Sequence, residues 1–255
     1  SIGSSLSSSG RIAALVEWAC ATIDGSSFIG HEPLKPLRVA KFGGTSVQDQ
    51  AAIERVVAIV NDLRPGMAVV LSAMGGVTDL LLGAADLAVK GADYRQLEAS
   101  FRKRHHDAAD ALLKDPANLK RMKGLIDEAA DELLAICQSL KTLKEATPRT
   151  LDLTASRGER MLAQLFAAVM AERGVDTLYV DATELIRVES QYGSPFPDLT
   201  QTQKNVEEKV LPHLKAGKLV IVPGFIGKGP DNELVTLGRG GSDLSAKIGR
   251  ASCRE

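Results

Sequence analysis

Lys41 closes the apolar run at residues 37–40, two glycines follow at Gly43 and Gly44, and Thr45 and Ser46 come directly after them. An ammonium group beside a glycine turn suits an anion, because glycine lets main-chain amides approach a ligand closely. A helical pattern then begins, with Ala51, Ile53, Val56, Val57 and Val60 at helical spacing. A helix start adds the positive end of its dipole, so this strand–turn–helix junction reads as a phosphate site. A second junction of the same kind is SAMGGVT, from Ser72 to Thr78, with Gly75 and Gly76 at its turn. Two further clusters carry chemistry: the pair Gly158 and Glu159, and the run Gly238, Arg239, Gly240, Gly241, Ser242, Asp243. An arginine binds a carboxylate through two parallel hydrogen bonds. Asp243 can either cap the helix expected near Ser242 or pair with a lysine whose charge would be costly to leave uncompensated.

Lysine, glycine-loop amides and a guanidinium together suit phosphoryl transfer, which needs positioning and charge neutralisation more than covalent chemistry. Magnesium on the nucleotide usually shares that charge. The site is not a Walker A loop, since no GxxxxGK[ST] occurs, and no GxGxxG follows a strand, which argues against a dinucleotide-dependent oxidoreductase. Glycine turns alone are weak evidence, because they end strands in many folds.

The elements that must position these residues alternate between strand and helix. A strand is expected over 37–42 and a helix over 48–63, closed by Arg64, Pro65 and Gly66. MAVVLSA, residues 67–73, is a continuous apolar run of the kind buried on both faces of a parallel sheet. A helix follows through Leu80, Leu81 and Leu82. Strands at 177–180 and 218–222, a helix over 199–216 kinked at Pro212, a turn at 227–232 and a short strand at 234–237 complete the pattern. Parallel strands that end in glycine turns bring their loops to one sheet edge, where open α/β folds bind ligands.

Residues 93–147 break this alternation. They are rich in Ala, Leu, Lys, Glu and Asp, and read as two or three amphipathic helices interrupted at Asp115-Pro116 and Thr147-Pro148. His105 and His106 lie inside this insertion; adjacent helix residues do not share a face, so a solvated helix surface is expected rather than a metal site. The next helix is expected over 150–173, capped by Thr154 or Ser156, with Glu159 in its first turn. There Glu159 would either meet a ligand or simply complement the helix dipole.

The 255 residues are 44% hydrophobic and 25% charged, with a net charge of −1, which suits a globular protein with a sizeable core and offers no basic surface for nucleic acid. Aromatic residues make up only 4%, too few for a base-stacking platform. Cys20, Cys137 and Cys253 are too scattered for a disulfide framework or metal-ligand spacing, which fits a reducing compartment. No apolar run approaches the roughly 20 residues of a membrane helix. Residues 1–36 begin with the serine-rich SIGSSLSSSG and read as a peripheral, poorly ordered leader. Their serine content fits a transit peptide weakly, and Glu17 and Asp24 count against one.

KFGGTSV, LSAMGGVTDLL, SRGE and TLGRGGSD together resemble the aspartate kinases, members of the amino-acid kinase family, over about residues 38–246. The helical insertion also resembles them rather than the smaller acetylglutamate and uridylate kinases. The resemblance implies a three-layer α/β/α sandwich around a mostly parallel sheet, spanning 37–246, that transfers the γ-phosphate of ATP, with Mg2+, to the β-carboxylate of L-aspartate. This would be the first step toward lysine, threonine and methionine. By motif, Lys41 would neutralise the transferring phosphoryl group and Asp243 would orient Lys41. Gly43, Gly44, Thr45, Ser46, Gly76, Gly240 and Gly241 would hold phosphates. Thr78 would contact aspartate, Glu159 would hold its α-ammonium, Arg239 its α-carboxylate, and Ser72 and Ser242 would assist. A homo-oligomeric parent in the cytoplasm, or in a plastid if from a plant or alga, is implied.

After GGSDLSA the family continues its helix and adds a strand and a nucleotide pocket, whereas this chain reads KIGRASCRE. Residues 247–255 are therefore expected to be a scar or truncation, with the adenine half of the site, the regulatory ACT domains and any fused homoserine dehydrogenase outside this chain. Two alternatives stay open: a glutamate or acetylglutamate kinase, and an inactive fragment that only binds.

Overall fold

The computed structural model describes residues 37–63, 65–189, 195–237 and 245. Four apolar runs form one parallel sheet: β1 (Arg38–Phe42), β2 (Met67–Leu71), β3 (Thr177–Tyr179) and β4 (Leu219–Pro223), in the order β1-β2-β4-β3. Every residue of β2 and β4 is buried, as expected for central strands covered on both faces. Lys41 lies in register with Val70, and Leu71 with Pro223, so the three strands end together. The Ser72 amide donates to the Phe42 carbonyl at 3.1 Å and the Gly224 amide to Leu71 at 2.8 Å, which ties the loops leaving this edge to the sheet.

Side-chain alternation divides the core in two. Ala40, Phe42, Met67, Val69, Leu71, Leu219 and Ile221 face one side. There they meet α1 (Gln50–Leu63), α2 (Val77–Val89), α3 (Arg95–Leu112), α4 (Pro116–Leu143) and α5 (Pro148–Glu172). Val39, Ala68, Val70, Val220 and Val222 face the other side, against α6 (Leu199–Lys209), α7 (Leu211–Lys215) and an antiparallel hairpin of β5 (Ile226–Lys228) and β6 (Leu234–Thr236). The three-layer α/β/α arrangement is therefore the one implied by the motifs. Strand β5, placed in a turn by its sequence, is a correction: three residues with a central glycine show no alternation to read.

The insertion forms α3 and α4, joined at Asp115, whose carboxylate accepts from the Asn118 amide at 2.8 Å. The two histidines diverge, though not both toward solvent. His105 is completely buried beside the Phe101 ring, 4.4 Å between centroids, while His106 is half-buried with Nε2 3.0 Å from an Asp127 oxygen. Helix α5 also starts earlier than expected. Thr147 is its cap and accepts from the Thr150 amide at 3.2 Å, with Pro148 in the first turn. Thr154 and Ser156, cap-type residues, instead donate back to the helix carbonyls of Thr150 and Leu153 at 2.7 and 3.0 Å. Glu159 consequently sits in the middle of a long helix, which removes the reading of it as a dipole-complementing first-turn charge. Among the described residues no helix is long and apolar enough to cross a membrane.

Candidate active site

The two glycine turns leave adjacent strands and pack main chain against main chain. A Cβ placed on Gly75 would lie 2.9 Å from the Gln48 Cβ and 3.3 Å from the Gly44 carbonyl oxygen. One on Gly44 would lie 3.4 Å from the Ala73 carbonyl. Only glycine permits this approach without moving one loop off the other. Lys41 reaches from the end of β1 over the first turn, with Nζ 3.3 Å from where a Gly43 Cβ would be. The ammonium and the two turns thus form one cradle.

The helix that offers its start to this cradle is α2 rather than α1. Helix α1 is closed by Asp49, whose carboxylate accepts from the Ala52 amide at 2.8 Å. An acidic cap satisfies a first-turn donor and opposes an anion there. Helix α2 begins after Gly76, which has φ +76 and no side chain to cap with. Thr78 is the second residue of α2, half-buried, and Ser72 is half-buried at the strand end. Thr45 and Ser46 are exposed on the first turn, whose hairpin-like closure is the Ser46 amide bonding the Gly43 carbonyl at 2.8 Å.

Glu159 reaches the same edge from the helix layer. A Cβ on Gly158 would lie 2.7 Å from the Ala73 Cβ and 3.1 Å from Val77 Cγ1, so Gly158 is what lets α5 press against the β2–α2 turn. This seats Glu159, 4% exposed, against the Ala73 main chain. Burial pushes its carboxyl up to about 7, partly opposed by hydrogen bonds from its own amide and that of Ala73. Its Oε2 is buried with no hydrogen-bond partner among the described residues. A buried carboxylate oxygen that lacks a donor is costly, and a cationic group of a ligand would supply one.

Ser72, Gly76, Thr78 and Glu159 therefore gather with Lys41, Gly43 and Gly44, whereas Arg239, Gly240, Gly241, Ser242 and Asp243 lie outside the described residues. Asp152 on α5 holds Thr236, two residues before Gly238. Two positions were invisible in sequence. Arg104, on α3, bonds the main chain of both glycine turns. Asp152 bonds a strand 84 residues away. Neither belongs to a local motif, and only the fold brings their partners near. Among the described residues, no group of three or more His, Cys, Asp or Glu side chains is arranged to hold a metal ion.

A parallel-sheet edge with a lysine, paired glycine turns and an uncapped helix start is an arrangement suited to an anion. A model of the amino acid kinase family matches residues 36–248, and the chain belongs to that family. It is 34% identical over 215 residues to lysine-sensitive aspartokinase 3 of Escherichia coli, a match covering 82% of this chain and 45% of that protein. It is 31% identical over 230 residues to the chloroplastic bifunctional aspartokinase/homoserine dehydrogenase 1 of Arabidopsis thaliana, covering 89% of this chain and 25% of that protein. The crystal structure of E. coli aspartokinase III in complex with aspartate and ADP matches with a TM-score of 0.74 at 28% identity, over 84% of this chain and 46% of that one. The chain spans less than half the length of these relatives.

Proposed function

We propose that this chain is the catalytic part of an aspartate kinase, forming 4-phospho-L-aspartate and ADP from L-aspartate and ATP. The observation that carries the reading is Glu159, whose buried Oε2 has no hydrogen-bond partner among the described residues and which packs on the Ala73 main chain beside the glycine turns. An amino acid substrate has a cation to place there while its own carboxylate faces the nucleotide. The relatives named aspartokinase, and the aspartate and ADP in one of their crystal structures, support the same assignment.

In this reading an oxygen of the substrate β-carboxylate attacks the γ-phosphorus as the bond to the ADP oxygen breaks, and no proton need move. Lys41 neutralises the transferring phosphoryl group, and the amides of Gly43, Gly44 and Gly76 take its oxygens together with Thr45 and Ser46. Ser72 and Thr78 hold the substrate beside Glu159. Arg239 receives the α-carboxylate, Ser242 assists, Gly240 and Gly241 contribute to phosphate binding, and Asp243 orients Lys41. A magnesium ion brought as Mg-ATP would share the phosphate charge. The complete parent is a homo-oligomer in this reading, cytoplasmic or plastid.

Hydroxylamine trapping tests the assignment on the full-length protein, of which this chain would be the catalytic part. Aspartate hydroxamate should form with Mg-ATP and L-aspartate, and Lys41→Ala should lower its rate roughly a thousandfold, the scale of losing a transition-state charge contact. Hydroxamate from glutamate or N-acetylglutamate in place of aspartate would transfer the assignment to another amino-acid kinase. Full activity in Lys41→Ala would remove that residue from the chemistry.

A further inference from the structure

The helical insertion contributes directly to the phosphate cradle through Arg104. Its Nη2 donates to the Gly75 carbonyl at 2.7 Å and to the Gln48 carbonyl at 3.2 Å, bridging the second glycine turn to the end of the first. Its Nη1 lies 3.7 Å from where a Gly76 Cβ would be, beside the start of α2. Neighbouring charges on α3 are engaged elsewhere: Arg102 with Glu98, Asp127 and Asp131, and Lys103 with Asp107. Among the described residues Arg104 pairs with no carboxylate, and its hydrogen bonds go to main-chain carbonyls alone. The two turns meet at Gly75, where a Cβ would lie 2.9 Å from the Gln48 Cβ and 3.3 Å from the Gly44 carbonyl oxygen. Their carbonyl oxygens would also repel a nearby phosphate unless a donor occupied them.

We propose that Arg104 is a positioning residue for the phosphate site. It clamps the two glycine turns at fixed separation, withdraws two carbonyl oxygens from the anion's surroundings and adds a positive charge behind the cradle. This rests on reading the cradle as a nucleotide-phosphate site. It assigns the α3–α4 insertion a part in nucleotide binding, with the lysine on the sheet and the arginine on the helical layer flanking the same anion. Lysine at this position would keep the charge and lose the planar fork that lets a guanidinium span two acceptors.

Hydrogen–deuterium exchange on the ligand-free full-length protein, followed by calorimetry with Mg-ADP, tests the clamp. In Arg104→Met, amides of residues 43–48 and 72–77 should exchange about tenfold faster, the scale expected for losing charge-assisted hydrogen bonds, while β4 stays unchanged. Mg-ADP should bind roughly tenfold more weakly, with the KM for aspartate in the trapping assay nearly unaltered. Arg104→Lys should fall between, and stands in if the methionine variant does not fold. Lys103→Met, one residue away on the outward side, should change none of these. Wild-type exchange at both turns in the Arg104 variants overturns the clamp. A wild-type protein that forms no hydroxamate overturns the kinase assignment instead, and leaves the exchange result to judge the clamp alone.

Discussion

Asp152 grips Thr236 with both carboxylate oxygens: Oδ2 accepts from the Thr236 amide at 2.9 Å and Oδ1 from its hydroxyl at 2.6 Å. Asp152 stands seven residues before Glu159 on α5, so the two share a face about two turns apart. One helix therefore carries both Glu159, with its buried carboxyl, and the anchor of β6. Replacing Asp152 by alanine should cost about 1–3 kcal/mol, the penalty for leaving a half-buried amide and hydroxyl without acceptors. A double-mutant cycle with Thr236→Val, read by urea denaturation, should return a coupling of about 1 kcal/mol or more. Additive single-mutant effects would show that the hydroxyl bond does not help hold β6 to α5.

Gly158 makes the opposite of the usual prediction for a glycine in a helix. Alanine there would ordinarily stabilise by about 0.5–1 kcal/mol. Here the added methyl would lie 2.7 Å from the Ala73 Cβ, inside any real contact distance. Overpacking at a buried helix–loop contact should dominate, so Gly158→Ala is expected to lose about 1–3 kcal/mol and to shift Glu159 away from Ala73. Adding Ala73→Gly should restore much of the loss. A Gly158→Ala protein as stable as wild type would mean that α5 does not depend on this close approach.

The central strands were legible because continuous apolar runs such as MAVVL and LVIV suit burial on both faces of a parallel sheet. Lys41, the Ser72–Thr78 run and Glu159 stand out in the sequence as residue types suited to one anion and amino-acid site, and the roles given to Ser72, Thr78 and Glu159 follow from the motif resemblance. What it obscured has physical causes. Thr154 and Ser156 look like caps, yet their hydroxyls bond back into the helix, so the start of α5 was misplaced and Glu159 with it. His105 looked like half of a solvated pair, but its ring packs on Phe101 and Nδ1 bonds the Phe101 carbonyl at 2.8 Å, which lets an imidazole occupy the core. Arg104 meets Gln48 across 56 residues, a relationship that charge patterning on α3 alone cannot reveal.

Glu159 and His105 should imprint opposite pH dependences on stability. Burial raises the Glu159 carboxyl from about 4.5 to about 7, so between these values the folded protein keeps a proton that the unfolded chain has lost. Stability therefore falls as pH rises through that window. Burial lowers the His105 imidazole from 6.5 to about 4, partly opposed by its bond to the Phe101 carbonyl. Between those values the unfolded chain holds a proton the fold refuses, and stability rises with pH. The two slopes overlap and largely offset each other in the wild type, so variants must separate them. Glu159→Gln should leave the His105 slope exposed and gain on the wild type as pH rises, reaching about 3 kcal/mol above pH 7 as an upper bound. His105→Leu should show the Glu159 slope alone, without the acid-side loss. Urea titrations from pH 4 to 8 measure both. A Glu159→Gln difference that stays constant across that range would mean that Glu159 titrates as an ordinary exposed carboxylate. L-aspartate adds a further check, since an ammonium seated on Oε2 should draw the carboxyl back down and flatten the wild-type slope attributed to Glu159.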